Sequence, residues 1–218
     1  MAKRYDLIVF DWDGTVMDST AIIAASIQAA CRDLALPVPT DEAANYVIGM
    51  GLVEALRHAV PTAEESSYEA LAQRYRYHFL AQDAAIPLFP EARETIIELH
   101  GKGYWLAVAT GKNRNGLNRV LESTQMNEYF HSTRTADQTF SKPHPAMLLE
   151  IMDELGLTAE RVLMVGDTTH DLQMALNAGV DAVGITHGAH PEEQLRALNP
   201  IALVDDFVAL RAWFKANA

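Results

Sequence analysis

The chain has 218 residues, 49% of them hydrophobic, and its 29 acidic side chains outnumber 17 basic ones for a formal net charge of −12. A chain of this length buries roughly 70% of its unfolded surface, which suits one domain or one domain with an insert. The acidic balance argues against nucleic acid or an anionic membrane as partner, since both are bound through clustered Lys and Arg. No apolar run is long enough for a bilayer span or a signal-peptide core, so the chain reads as cytoplasmic. Its one cysteine, Cys31, falls in a helical pattern as a buried thiol.

Tyr5 to Phe10 is mostly apolar, as expected of a strand buried on both faces of a parallel sheet. It runs into Asp11-Trp12-Asp13-Gly14-Thr15, where two carboxylates stand beside a turn-forming Gly and a hydroxyl able to bind an oxyanion. Ile23, Ile27, Ala30 and Leu34 recur at helical spacing over 21–34, with Ser19 or Thr20 as N-cap. Pro37 and Pro39 end that helix, Thr40-Asp41-Glu42 opens a second, and Gly49-Met50-Gly51 interrupts before a third over 52–60. Tyr68, Leu71, Tyr75 and Phe79 mark a longer amphipathic helix. Residues 17–86 thus read as helices with no strand among them.

From Pro90 strands and helices alternate. A helix carrying Ala92, Ile96 and Leu99 ends at Gly101 and Gly103, and a buried strand over 104–109 stops at Thr110-Gly111-Lys112. A helix over 113–124, a short strand over 130–135 and a Pro-bounded loop at Ser141-Lys142-Pro143-His144-Pro145 follow. The next helix carries Leu148, Ile151, Met152 and Leu155 and ends at Gly156. A strand over 161–165 leads into Gly166-Asp167-Thr168-Thr169-His170-Asp171, with a helix to Ala178 and a strand over 181–185 behind it. A helix near 192–198, a strand over 201–204 and a helix to Trp213 complete the series. This alternation predicts an α/β fold with a doubly wound parallel sheet and right-handed crossovers.

Asp11, Thr110 and Asp167 each stand just after a predicted strand, so one fold rule brings them to a single sheet edge. The Lys142 loop precedes a strand by one helix and returns to the same edge. Each group has a bland reading: Lys142 as a solvated loop lysine, Thr110 as a turn residue, Asp167 and Asp171 as charges at a helix start. Their coincidence at one edge outweighs those readings. His144, His170, His187 and His190 invite a zinc reading, but none of their spacings makes a recognised ligand set.

The motifs Asp11-Trp12-Asp13-Gly14-Thr15, Thr110, Lys142 and Gly166-Asp167 with Asp171, in that order over nearly the whole chain, resemble the haloacid dehalogenase superfamily. The likeness is to its phosphatase branch with a helical cap after the first strand, phosphoglycolate phosphatase-like members above all. It implies a Rossmann-like core of strand order 3-2-1-4-5 formed by residues 1–16 and 87–218, with 17–86 as the cap. It further implies a Mg²⁺-dependent phosphatase acting on a small phosphorylated metabolite, phosphoglycolate or similar, through an aspartyl phosphate. Asp11 would be the nucleophile and Asp13 the general acid and base. Mg²⁺ would be held by the Asp11 and Asp167 side chains and the Asp13 carbonyl, supported by Asp171 and Thr15. Thr110, Gly111 and Lys142 would bind phosphate. Gly49, Met50, Gly51 and Arg57 are candidate substrate contacts, as is Lys112, where the family often has a basic residue without an obligatory role.

Residues 17–86 contain no lysine, which disfavours phosphonate cleavage through a Schiff base. Asp13 disfavours dehalogenation, because halide needs no proton. A sugar phosphomutase keeps every core motif and stays open as the alternative. A phosphorylated receiver domain is shorter and has no helical insert, and an inactive binding protein would not need this full set of residues. The chain is expected to act as a monomer or homodimer.

Overall fold

A computed structural model describes residues 3–217, with the side chain of Ala84 excepted. The first strand, β1 (Leu7–Phe10), is followed by four helices, α1 (Thr20–Asp33), α2 (Asp41–Tyr46), α3 (Leu52–Ala59) and α4 (Tyr68–Leu80). Then come α5 (Ala92–Gly101), β2 (Trp105–Thr110), α6 (Arg114–Ser123), β3 (Ser132–Thr135), α7 (Ala146–Leu155) and β4 (Val162–Gly166). The chain ends with α8 (Thr169–Ala178), β5 (Asp181–Ile185), α9 (Glu192–Arg196), β6 (Ala202–Val204) and α10 (Phe207–Asn217). The six strands form one sheet in the order β3-β2-β1-β4-β5-β6, every pair parallel. The expected order 3-2-1-4-5 is thus met and extended by an edge strand.

All four residues of β1 are fully buried because both faces of the sheet are covered. Ile8 and Phe10 pack with Leu106, Val108, Leu163 and Val165 against α5, α6 and α10, while Leu7 and Val9 join Ala107, Ala109, Val162 and Met164 under α7 and α8. Burying each large apolar side chain contributes about 1.5–3 kcal/mol, and the strict alternation fixes the register, since a one-residue slip would exchange the faces. In that register Phe10 lies beside Val108 and Val165, so β1, β2 and β4 end within two residues of one another. Asp11 N continues the ladder to Val165 O at 3.0 Å.

Between β1 and α5 there is no strand of the sheet, as the sequence predicts; α1 packs along α4 and α2 against α1. The chain leaves and returns through two adjacent segments: Phe89 N donates to Val16 O and Asp18 N to Pro87 O, both at 3.0 Å. Most boundaries fall within a residue or two of expectation, and two of the differences have a visible extent. β3 begins at Ser132 rather than residue 130, because Asn127–Tyr129 forms a 3₁₀ turn that delays the extended run, and α10 continues past Trp213 to Asn217. Among the described residues no helix is long and apolar enough to cross a membrane.

Candidate active site

The neighbouring ends of β1, β2 and β4 bring the predicted residues together. Asp11 is fully buried. Its Oδ1 lies 2.6 Å from the Lys142 ammonium, whose other neighbour is Asp171 Oδ1, also at 2.6 Å. Asp11 Oδ2 has no hydrogen-bond partner, and Asp11, Asp167 and Asp171 each place one oxygen within 4.8 Å of the others. Burial, then the Asp171 and Asp167 charges, push the Asp11 pKa well up, with Lys142 opposing. Burial likewise raises Asp167 to about 7, helped by the Asp171 charge. Burial works against the Lys142 ammonium, but Asp11 and Asp171 outweigh it and its pKa rises. Three buried carboxylates against one cation is an excess of negative charge, and an oxygen with no partner inside it is what a hard divalent cation would satisfy.

Local sequence explains how each acid is held. Gly14 has φ +84°, and a Cβ there would stand 2.3 Å from Asp167 Oδ2, so the turn after β1 can pass this carboxylate only as glycine. Thr15 was expected to bind an oxyanion. Its hydroxyl instead donates to Asp167 Oδ1 at 2.6 Å, while the Ala189 amide donates to Oδ2 at 2.7 Å. Asp171 closes a capping box on α8: its Oδ2 accepts from the Thr168 hydroxyl at 2.7 Å and the Thr168 amide at 3.1 Å. That leaves Oδ1 for Lys142.

Asp13 is held separately. Ser19 Oγ donates to its Oδ1 at 2.6 Å, and Lys112 Nζ lies 2.9 Å from the same oxygen. Ser19 is the N-cap position of α1 but caps nothing with its side chain, because its hydroxyl is committed to Asp13. Both donors converge on Oδ1, so Oδ2 is the oxygen left to exchange a proton with a group in the adjoining cleft, which Asp13 lines. Lys112 also lies 4.9 Å from the centre of the Phe79 ring on α4.

Thr110 is buried, and its hydroxyl accepts from Lys112 N at 3.2 Å. Gly111 sits under the α2–α3 turn: a Cβ there would lie 2.4 Å from Met50 O and 2.6 Å from Gly49 O. The Gly51 amide donates to Ser141 Oγ in the Lys142 loop at 2.7 Å. Gly49, Met50 and Gly51 thus pack against Gly111 and Ser141 and line the cleft. Arg57 lines the same cleft but pairs with the exposed Glu65.

None of the four singled-out histidines belongs to the acidic cluster. His144 Nδ1 accepts from the Ala146 amide, and His187 stacks on Phe89 and donates from Nε2 to Thr15 O at 3.1 Å. His170 and His190 both donate from Nε2 to one carbonyl, Tyr46 O at the end of α2, at 2.7 and 2.9 Å. The tautomer of His190 follows from its other nitrogen, which accepts from the Thr169 amide. Ser19 and the Ala189 amide are site groups that sequence reasoning missed. A hydroxyl six residues past Asp13 was a usable signal for Ser19. An amide has none.

A profile of haloacid dehalogenase-like hydrolases matches residues 8–185. The chain belongs to this family. A Dickeya dadantii (strain 3937) relative, named "Probable phosphatase IndB", is 38% identical over 92% of this chain and 90% of its own. The "Phosphoglycolate phosphatase" of Aliivibrio fischeri (strain ATCC 700601 / ES114) is 32% identical over 97% of each. Among solved structures, a predicted phosphoglycolate phosphatase from Haemophilus somnus 129pt superposes with a TM-score of 0.86 at 26% identity, over 97% of this chain and 99% of that one. This haloacid dehalogenase-like hydrolase is a phosphatase, and its buried aspartate cluster fits the divalent metal that phosphatases of the family generally use.

Proposed function

We propose that the protein hydrolyses a small phosphomonoester with Mg²⁺ through a phosphorylated Asp11. The observation that carries this reading is the buried Asp11 carboxylate, with one oxygen against Lys142 and the other without a partner. Mg²⁺, held by the Asp11 and Asp167 side chains and the Asp13 carbonyl with Asp171 beside them, would offset the repulsion between these carboxylates and a phosphate dianion. Asp11 attacks phosphorus, the P–O bond to the alcohol breaks, and Asp13 gives its Oδ2 proton to the departing alkoxide. Asp13 then takes a proton from water, which attacks the phosphorus and releases Asp11 and inorganic phosphate. Lys142 opposes the protonation that burial favours at Asp11, and the Thr110 hydroxyl and Gly111 amide hold phosphate oxygens. Phosphoglycolate is the substrate in the names of several relatives.

Residues 17–86 act in this reading as a cap on a core made of 1–16 and 87–218. Support comes from the strand-free run of α1–α4 and from the paired exit and return segments at Val16–Phe89 and Asp18–Pro87. The test is steady-state phosphate release from p-nitrophenyl phosphate with Mg²⁺ and with EDTA. Activity that survives full chelation would overturn the metal-assisted mechanism.

A further inference from the structure

Asp167 is held by donors from two distant parts of the chain. The Thr15 hydroxyl donates to its Oδ1 at 2.6 Å and the Ala189 amide to its Oδ2 at 2.7 Å. An ionised carboxylate has about four lone-pair sites, so each oxygen, once held in this way, still has electrons to offer a cation. The plane of the carboxylate is then fixed only as well as its two donors are. Neither donor lies in a helix or a strand of the sheet: Thr15 is in the turn after β1, and Ala189 is in the loop between β5 and α9.

His187 joins those two segments. Its Nε2 donates to Thr15 O at 3.1 Å, the one hydrogen bond running directly between them among the described residues. A ring of partners results: from the Thr15 carbonyl to His187, through Gly188 to the Ala189 amide, across Asp167 and back to the Thr15 hydroxyl. There is no slack in it at Gly188, where a Cβ would stand 2.1 Å from Asp167 Oδ2. The imidazole is itself aimed by packing. One face lies on Phe89, with ring centres 3.7 Å apart and planes 13° from parallel, and the fully buried Phe207 is tilted against it at 5.9 Å. Phe89 is in turn pinned beside the same turn, its amide donating to Val16 O at 3.0 Å.

We infer that His187 is a positioning residue, closing the hydrogen-bonded ring that fixes both Asp167 oxygens and so setting how tightly the site holds Mg²⁺. This deepens the metal-assisted phosphatase reading and rests on it. Groups that orient a metal ligand from behind change metal affinity by about 10- to 100-fold when removed. His187 stands one hydrogen bond further out than Thr15 and Ala189, which places its effect at the lower end.

The experiment measures the Mg²⁺ dissociation constant of the substrate-free protein from the rise in its urea-unfolding stability with Mg²⁺ concentration, against an EDTA baseline. His187→Phe keeps the stack on Phe89 and removes the N–H, whereas His187→Gln removes the ring and carries an amide N–H near the place of Nε2. We expect Mg²⁺ to bind about tenfold more weakly to the Phe variant and within about threefold of wild type to the Gln variant. A Phe variant inside that margin, or a Gln variant outside it, overturns the inference while leaving the metal-assisted reading standing. If the Phe variant does not unfold cooperatively in EDTA, the Gln variant decides by the same margin; if neither does, His187 carries the fold and the inference is overturned. A wild type whose stability ignores Mg²⁺ overturns the metal-assisted reading, and this inference with it.

Discussion

Asp167 offers a pH test whose sign is fixed by its surroundings. Its pKa is raised from 3.8 to about 7, by burial first and by the Asp171 charge second. A carboxyl whose folded pKa exceeds its unfolded one takes up protons on folding between the two values, so its contribution to stability is greatest in acid and declines as pH rises. The whole shift corresponds to about 4 kcal/mol, more than half of which falls between pH 5 and pH 8. His170, His187 and His190 act oppositely in this window, because burial lowers their pKa values and the unfolded chain then binds more protons. Urea unfolding of the wild type and of Asp167→Asn in EDTA, at each pH, separates the two effects. The stability difference, wild type minus variant, should fall by about 2–3 kcal/mol from pH 5 to pH 8. Asp11 adds to the same trend, since the Asp167 charge helps raise its pKa. Saturating Mg²⁺ should flatten the slope by favouring the ionised acid. A difference that is level or rising with pH in EDTA would refute the reasoning.

Other substitutions separate the roles. Asp11→Asn should lower kcat by about 10⁴- to 10⁶-fold, as loss of a covalent nucleophile does; near-normal turnover would remove Asp11 from the chemistry. Lys142→Met leaves Asp11 and Asp171 buried without their cation and should cost about 3–5 kcal/mol in metal-free urea unfolding. Lys112→Met, which leaves Asp13 Oδ1 to Ser19 alone, should reduce kcat/KM for an alkyl phosphate by about 10- to 100-fold. The loss should be far smaller for p-nitrophenyl phosphate, whose leaving group needs no proton; equal losses would contradict a link to protonation. Gly111→Ala forces a methyl group against Met50 O and Gly49 O. It should lower kcat/KM with little change in urea midpoint, and an unaltered kcat/KM would show that the contact is dispensable.

Much of this arrangement was legible because it depends on chain-local patterns. The apolar run before Asp11 has to be a doubly covered strand, and alternation of strand and helix places Asp11, Thr110 and Asp167 at one edge. The extra edge strand β6 also follows from its short apolar run. What escaped the sequence were partnerships across long separations. Thr15 and Asp167 are 152 residues apart, and nothing near either shows that the hydroxyl goes to the carboxylate and not to a ligand oxygen. Ser19 looked like a helix cap because caps are common at that spot, yet the stronger acceptor at Asp13 captures it. Nothing in the chain near Lys112 shows that its ammonium stands beside Asp13.

The carbonyl of Tyr46 accepts from two imidazoles at once, and His170 stands next to Asp171 at the start of α8. The polar attachment holding the far end of α2 to the sheet edge is therefore a two-point latch bolted to the segment that carries an acid of the site. Each such bond contributes about 1 kcal/mol, so swinging α2 away breaks both together and costs more than a single-tethered loop would.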